Sequence, residues 1–433
     1  MWPPQRLAWG WPDRGEVRVV SHAGGVRGSG VIWSEHPVRV RAPATSANLG
    51  PGYDALGLAL GLHDEVQAWV TGDGLSLTVS GEGDETAEAG ERHLVVTAMR
   101  AAFGAMGGQP PGIALRCVNV IPHGRGLGSS AAAVVSGILA ARELVAGGAD
   151  LLPDADVLAL AVDLEGHPDN VAACLAGGLT VAWRRSAEHP REPKGRGGAW
   201  TEERGARNER RSDEGSAAVK GDGEAGGAPE ASAEIRVLRL EVLDSLSAVV
   251  CVAPTAVATR DARRALPEFV PHADAAANAA RSALLVAGLT SDPAVLFDAT
   301  EDFLHQRYRA PAMPASADLL GRLRRAGVPA VVSGAGPSIL AMTVAGQPGP
   351  EVVDSIACET GISWHVIPLD VDRQGAAIQP EPGAQPPDTR QGRPSYKAPG
   401  PGIHAPGTSP QSRVARSATH GPPSGECHGL LWC

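Results

Sequence analysis

Lysine is nearly missing from this chain. Three of its 433 residues are lysine (Lys194, Lys220 and Lys397), and the other basic side chains are arginine. None of the three sits where a G-x-x-x-x-G-K-[ST] phosphate loop, a protein-kinase strand lysine or a Schiff-base amine would need it, so those chemistries are excluded. What remains is arginine, carboxylates, amides, hydroxyls, backbone N–H groups or a metal. Positive charge is scarce as well. With 38 basic and 48 acidic residues the formal charge is −10, which argues against broad binding to nucleic acid or an anionic membrane but leaves room for a local basic pocket. No apolar run nears the roughly 18 residues that span a bilayer. Met1-Trp2-Pro3-Pro4 opens no continuous hydrophobic signal core. The six cysteines are scattered without a C-x-x-C pair, so no zinc cluster or redox motif is expected, and one inside an apolar run, such as Cys251, reads as a small core residue. A soluble, cytoplasmic protein is expected.

Three segments lack the apolar content of a folded core. Residues 1–36 hold four tryptophans and many glycines without periodicity; residues 184–234 carry one aliphatic side chain beyond alanine, Val219; residues 379–433 carry eleven prolines. They read as a disordered extension, a disordered low-complexity insertion and a Pro-rich disordered tail, because so little apolar surface cannot offset the entropy of ordering. The remainder, 37–183 and 235–378, suits two domains. Period-two alternation predicts strands at 36–41, 65–70, 75–80 and 113–121. Helical spacing predicts helices at 93–106, 129–146 (capped by Ser129 or a neighbour) and 153–164. A strand at 178–183 should pair across the insertion with 235–240. Further strands fall at 246–253, 328–333, 338–343 and 362–369. Helices fall near 259–266, 271–288, 291–304, 315–326 and 350–358. This is an α+β pattern without strict βαβ alternation.

The sharpest feature is Pro122-His123-Gly124-Arg125-Gly126-Leu127-Gly128-Ser129-Ser130-Ala131-Ala132. A strand, a permissive glycine loop and a helix start follow one another. Glycines let backbone approach an anion, and the N–H groups at a helix start face it. The Ser129 and Ser130 hydroxyls suit phosphate or Mg²⁺. A structural turn with a helix cap is the local alternative. Elsewhere, Glu165 ends an apolar helix and His167, Asp169 and Asn170 cluster around Pro168, where capping is the competing explanation. Asn48 and Asp54 lie in a glycine-rich loop that also suits turn residues. Thr259 and Arg263 share a helix face by their spacing of four. Arg260 and Arg264 are read as solvated charges.

The string Pro122–Ala132 resembles the second motif of the GHMP kinases, the family of galactokinase, homoserine kinase, mevalonate kinase and phosphomevalonate kinase. Arg41-Ala-Pro-Ala-Thr-Ser-Ala-Asn-Leu-Gly-Pro-Gly-Tyr-Asp54 resembles the family's first motif and Ser333-Gly-Ala-Gly-Pro-Ser338 its third. Glu165-Gly-His-Pro-Asp-Asn-Val-Ala172 resembles the active-site segment in its homoserine-kinase form. The resemblance covers about 37–378. It implies a two-domain α+β fold, with an N-terminal domain like ribosomal protein S5 domain 2 and a ferredoxin-like C-terminal domain. It also implies ATP and Mg²⁺, and phosphorylation of L-homoserine to O-phospho-L-homoserine in threonine biosynthesis. Another small-molecule GHMP kinase and a non-catalytic ligand-binding member of the fold are the alternatives.

Residue by residue, the resemblance implies ATP on Pro122–Ala132 and Mg²⁺ on Ser130 and Glu165, with Asp163 as a rival carboxylate. It places substrate on Asn48, Asp54, His167, Asp169, Asn170, Thr259, Arg263 and Arg309. Asp54 would meet the ammonium, while Arg263 and Arg309 would meet the carboxylate. Asn170, Asp169 and Arg263 form the catalytic group, with Asp169 as a base the minority reading against Asn170 as a positioning amide. His93 stands where many relatives have asparagine, which leaves the adenine contacts open. Monomer and homodimer both remain open.

Overall fold

The structure, a computed structural model, describes residues 30–185, 234–257, 259–344 and 348–380. The expected disordered extension, insertion and tail lie almost wholly outside the described residues. Their margins do not. Trp33 bridges Val145 and packs edge-on against Phe103 at 5.3 Å. Arg185 and Glu234 extend the hairpin across the insertion, and 377–380 form a strand. The drawn boundaries therefore move outward by a few residues.

The first half runs β1 (Val38–Ala47), β2 (Leu56–Thr71), β3 (Gly74–Gly81), α1 (Leu94–Ala105), β4 (Gly112–Asn119), α2 (Ser129–Glu143), α3 (Gly148–Leu151), α4 (Asp154–Glu165), α5 (Pro168–Ala176) and β5 (Leu179–Arg185). The second runs β6 (Glu234–Leu240), β7 (Leu246–Val252), α6 (Thr259–Arg264), α7 (His272–Thr290), α8 (Leu296–Ala299), α9 (Gln306–Arg309), α10 (Pro314–Arg325), β8 (Ala330–Val332), β9 (Ile339–Val344), α11 (Pro350–Cys358), β10 (His365–Leu369) and β11 (Ala377–Pro380). No helix among the described residues is long and apolar enough to cross a membrane.

The larger sheet has the order β11-β1-β2-β4-β3, with β5 and β6 continuing from β2. The long β2 makes this possible: Glu65–Thr71 pair with β4, whereas Leu56–Leu58 pair with β5. A register shift between Pro43 and Ala44 in β1 accompanies the change of partner. The second sheet is antiparallel, β10-β7-β9-β8. Alternation sets the near end of β1, where Val38, Val40 and Ala42 are buried and Arg41 is exposed. Beyond Ala42 every residue of β1 is buried, so the strand outlasts the expected end at Arg41. Small side chains there let α2 and α5 lie against it. In α2 eleven of fifteen residues are buried, and a Cβ at Gly137 would meet the Val95 carbonyl of α1 at 2.6 Å. The two helices approach closely because that position is glycine.

The main apolar core joins both sheets. It includes Val40 and Leu58 from the larger one, Val250, Leu340 and Met342 from the smaller, and Leu285 and Leu289 of α7. A second cluster lies under α10 and α11, with Leu319, Leu323 and Val353. β11 returns the chain to β1, which periodicity did not predict. The expected helix 291–304 is also corrected. Pro293–Val295 form a 3-10 turn, α8 lasts one turn, and Asp302 takes the backbone N–H groups of Leu304, His305 and Gln306 with its carboxylate. That acid caps the start of α9, after α8 has ended at Ala299.

Candidate active site

Three left-handed glycines shape the loop between β4 and α2: Gly124, Gly126 and Gly128 have φ of 65°, 74° and 68°. A Cβ on Gly126 would lie 2.1 Å from the Ser333 carbonyl, and one on Gly128 would lie 2.0 Å from Thr45 Oγ1. The glycines thus let the other two motif loops touch this one. Thr45 N–H donates to the Leu127 carbonyl at 3.0 Å, and Ser333 Oγ donates to the Gly126 carbonyl at 2.7 Å and, its one proton spent, accepts from Ser46 Oγ at 2.9 Å. Arg125 donates to the Ala253 and Pro254 carbonyls, tying the loop to the end of β7. The cap of α2 is Gly128, not Ser129, and no side chain closes it. Its first-turn N–H groups stay available to an anion at the positive end of the helix dipole. Leu127, Ala131 and Ala132 bury their side chains in the core, so only their backbone can meet a ligand.

Glu165 ends α4, Gly166 reverses the chain at φ 91°, and Pro168 opens α5. This turn brings the Glu165 carboxylate to Ser130, whose hydroxyl donates to Oε1 at 2.6 Å. Burial raises the Glu165 carboxyl above the ordinary carboxylate range. Asp163 is exposed. Asp169 is 2% exposed, accepts the Asn170 N–H at 2.8 Å, and is also raised by burial. His167 Nδ1 is buried without a hydrogen-bond partner in the protein and lies 3.5 Å from Asp169 Oδ1. Asn170 Oδ1 accepts the Thr45 hydroxyl at 2.8 Å, which leaves its NH₂ group as the end to offer a ligand.

In the first motif, Asn48, Leu49 and Asp54 take positive φ without being glycine, at 66°, 47° and 54°. Such strain persists only where surroundings over-determine it. Here Asn48 supplies the constraint: its Oδ1 accepts the Asp54 N–H at 2.9 Å and its Nδ2 donates to the Gly334 carbonyl at 2.8 Å. Asp54 and Arg263 were expected to face opposite ends of the substrate. In this structure they pair with each other through a two-pronged contact at 2.8 and 3.2 Å. Arg309 is 1% exposed and donates to the Gly334 and Ala262 carbonyls, with no carboxylate in ion-pair range among the described residues. Thr259 opens α6, and its side chain lies outside the described residues.

Sequence reasoning passed over Thr45, Tyr53 and His305. The Tyr53 ring lies 5.6 Å from the Arg309 guanidinium and 5.2 Å from the His305 ring. Thr45 and Tyr53 are inside the first motif, which was the available signal; His305 had none.

These groups enclose a small chamber of about 80 Å³ lined by Asn48, Asp169, Asn170, Arg263, Arg309 and Gly334. Its neighbour is an open cleft of about 630 Å³ between Ser130, Glu165 and three arginines of α6, Arg260, Arg263 and Arg264. The solvated arginines 260 and 264 therefore face the glycine-loop side of the molecule. Ser129 and Ser130 also border a third pocket of about 360 Å³ that contains His93 and Ser136. Both carry a buried polar atom with no partner in the protein.

Residues 93–178 match the family described as the GHMP kinases N terminal domain. A homoserine kinase of Streptomyces coelicolor is 47% identical over 343 residues, 79% of this chain and 94% of that one. A homoserine kinase of Clavibacter michiganensis is 42% identical over 345 residues, 79% and 94% of the two chains. The crystal structure of a homoserine kinase from Cytophaga hutchinsonii has the same fold at a TM-score of 0.58 and 24% identity, covering 82% of this chain and 100% of that one. A mevalonate diphosphate decarboxylase from Staphylococcus aureus is similar at a TM-score of 0.50 and 15% identity over 79% of this chain and 98% of that one. Two packed α+β halves with a glycine loop at an uncapped helix start define the GHMP kinase class. Within it, the chain belongs to the homoserine kinase family.

Proposed function

We propose that the protein transfers the γ-phosphoryl group of ATP to the side-chain hydroxyl of L-homoserine, giving ADP and O-phospho-L-homoserine in threonine biosynthesis. One observation carries the substrate assignment: a buried guanidinium, Arg309, shares a chamber of about 80 Å³ with Arg263, whose own guanidinium pairs with Asp54. Two guanidiniums line so small a space, and Asp54 pairs with one of them; opposite charges this close suit an amino acid, whose carboxylate and ammonium are close together. Arginine forks bind carboxylates bidentately, and Asp54 takes the ammonium once Arg263 turns to the substrate.

The phosphates of ATP rest on the first turn of α2, with Arg260 and Arg264 on the open side, and the base enters the pocket of His93 and Ser136. Ser130 and Glu165 converge as two hard oxygen donors beside this anion site, and such a pair fits Mg²⁺, which takes few protein ligands and keeps phosphate oxygens. Bound there, the ion supplies charge neutralisation on the phosphates. Phosphoryl transfer asks mainly for alignment and for stabilisation of spreading negative charge. Asn170, held by Thr45, offers its NH₂ to the acceptor oxygen. Asp169 lines the chamber together with Glu165, and with Glu165 assigned to the ion it is the carboxylate left to take the hydroxyl proton. A cytoplasmic location accords with ATP as the donor.

The test is ADP release from ATP-Mg with homoserine, serine, threonine, mevalonate or galactose as acceptor. Homoserine should give the highest kcat/KM, and equal rates across the panel would overturn the assignment. Asp169→Asn separates the two proton routes: a kcat lowered about 100-fold marks a base, and an unchanged kcat leaves the proton to the phosphoryl oxygens.

A further inference from the structure

We propose that His305 is a positioning residue for the substrate-carboxylate arginine, acting as a neutral ring protonated at Nε2. The inference rests on the reading of Arg309 given above. His305 is fully buried, and each ring nitrogen has one polar partner on a different part of the site. Nδ1 lies 3.1 Å from Arg309 Nη1. A guanidinium carries donors only, so Nδ1 has to accept and bears no proton. Nε2 lies 2.9 Å from the Gly50 carbonyl, which accepts only, so Nε2 has to donate. One tautomer satisfies both contacts. The imidazolium satisfies neither the Arg309 contact nor the adjacent positive charge.

Geometry gives the ring its function. Gly50 belongs to the strained turn that carries Asn48 and leads to Asp54. Arg309 stands on α9, from the other half of the molecule. His305 is thus a polar link between the turn that presents Asp54 and the guanidinium that presents positive charge to the chamber. Around it, the Asp302 side chain is fully buried and spends its oxygens on the N–H groups of Leu304, His305 and Gln306, while its 3.7 Å separation from Nε2 is too long for a hydrogen bond. Asp302 fixes where the ring starts, and the Tyr53 ring covers it. Burial holds the ring below the ordinary histidine range, in keeping with the neutral form.

Two conservative variants divide the ring's two contacts. His305→Asn keeps an acceptor near the Nδ1 position, and His305→Gln keeps a donor near the Nε2 position. Steady-state kinetics on the full chain should give a homoserine KM for His305→Gln about tenfold above that of His305→Asn, since hydrogen bonds to charged groups are the costly ones to lose. The KM for ATP should be the same in both. Equal homoserine KM values for the two variants would overturn the proposal. Where the glutamine variant does not fold, long-range ¹H–¹⁵N spectra of the wild-type chain at pH 7 decide: an Nε2–H ring supports the proposal, and an Nδ1–H ring or an imidazolium refutes it. Arg309→Met separates the two layers. If it leaves the homoserine KM unchanged, the carboxylate reading of Arg309 fails, whatever the ring tautomer.

Discussion

Asp54 and Arg263 meet in a geometry that favours strong pairing, yet both side chains are more than a third exposed. Exposed pairs contribute about 0–1 kcal/mol, so the substrate can part them at little cost. Glu165 is the opposite case. Burial raises its carboxyl, so the folded chain binds that proton more tightly than the unfolded chain does. Stability without ligand therefore falls as pH rises from the ordinary carboxylate range through the raised value. Glu165→Gln should raise the Tm of the ligand-free protein at pH 7, lose that advantage near pH 4, and raise the KM for ATP-Mg. A lower Tm at pH 7 would show that the Ser130 bond outweighs desolvation. Side chains of this kind were unevenly legible. Glu165, Asn170 and Ser130 stood out because their motif strings are specific. Arg309 was marked by resemblance alone, and His305 not at all. One histidine in a short polar stretch carries no periodic signal; its meaning comes from Gly50, far away in sequence.

At the scale of elements, the glycine loop was the most legible part, since strand, glycines and helix start follow in one string. What the string hid was the reason for Gly126 and Gly128. Anion approach is one demand on them; contact with Ser333 and Thr45 is another. Gly128→Ala should therefore disturb both the helix start and the Thr45–Asn170 bond. A cost of about 1–3 kcal/mol is the usual scale for a non-glycine residue in that conformation. The expected readout is a Tm loss together with a kcat lowered at least tenfold, and a normal kcat would refute the link from Gly128 through Thr45 to Asn170. The misread elements had more than one cause. The helix expected over 291–304 is divided into a 3-10 turn and the single turn of α8, and Asp302 caps the start of α9, an effect with no apolar period. The far half of β1 was missed because Pro43, Ala44 and Ser46 look like a loop; they are small because two helices rest on them.

Across the whole molecule, two sheets share one core, and the chain's described ends close it. Trp33 packs on Phe103, and β11 pairs with β1 from Val38 to Arg41. A chain of residues 30–380 should keep full activity and stability. One cut to 37–378 loses the Trp33 contact and half of β11, with an expected destabilisation of about 1–3 kcal/mol by urea titration. Equal midpoints for the two chains would show that these margins contribute nothing.

Arg185 and Glu234 face each other in the β5–β6 ladder, although residues 186–233 lie between them. Along that ladder the register runs without a break from Leu179 opposite Leu240 to Arg185 opposite Glu234. The ends of the interval are therefore held together by β5 and β6 themselves, and for a flexible loop closure costs only about 0.6 kcal/mol more per doubling of length. That rung is a place where the gene can gain or lose codons in bulk while the register of every other strand, and with it the position of every active-site side chain, stays the same.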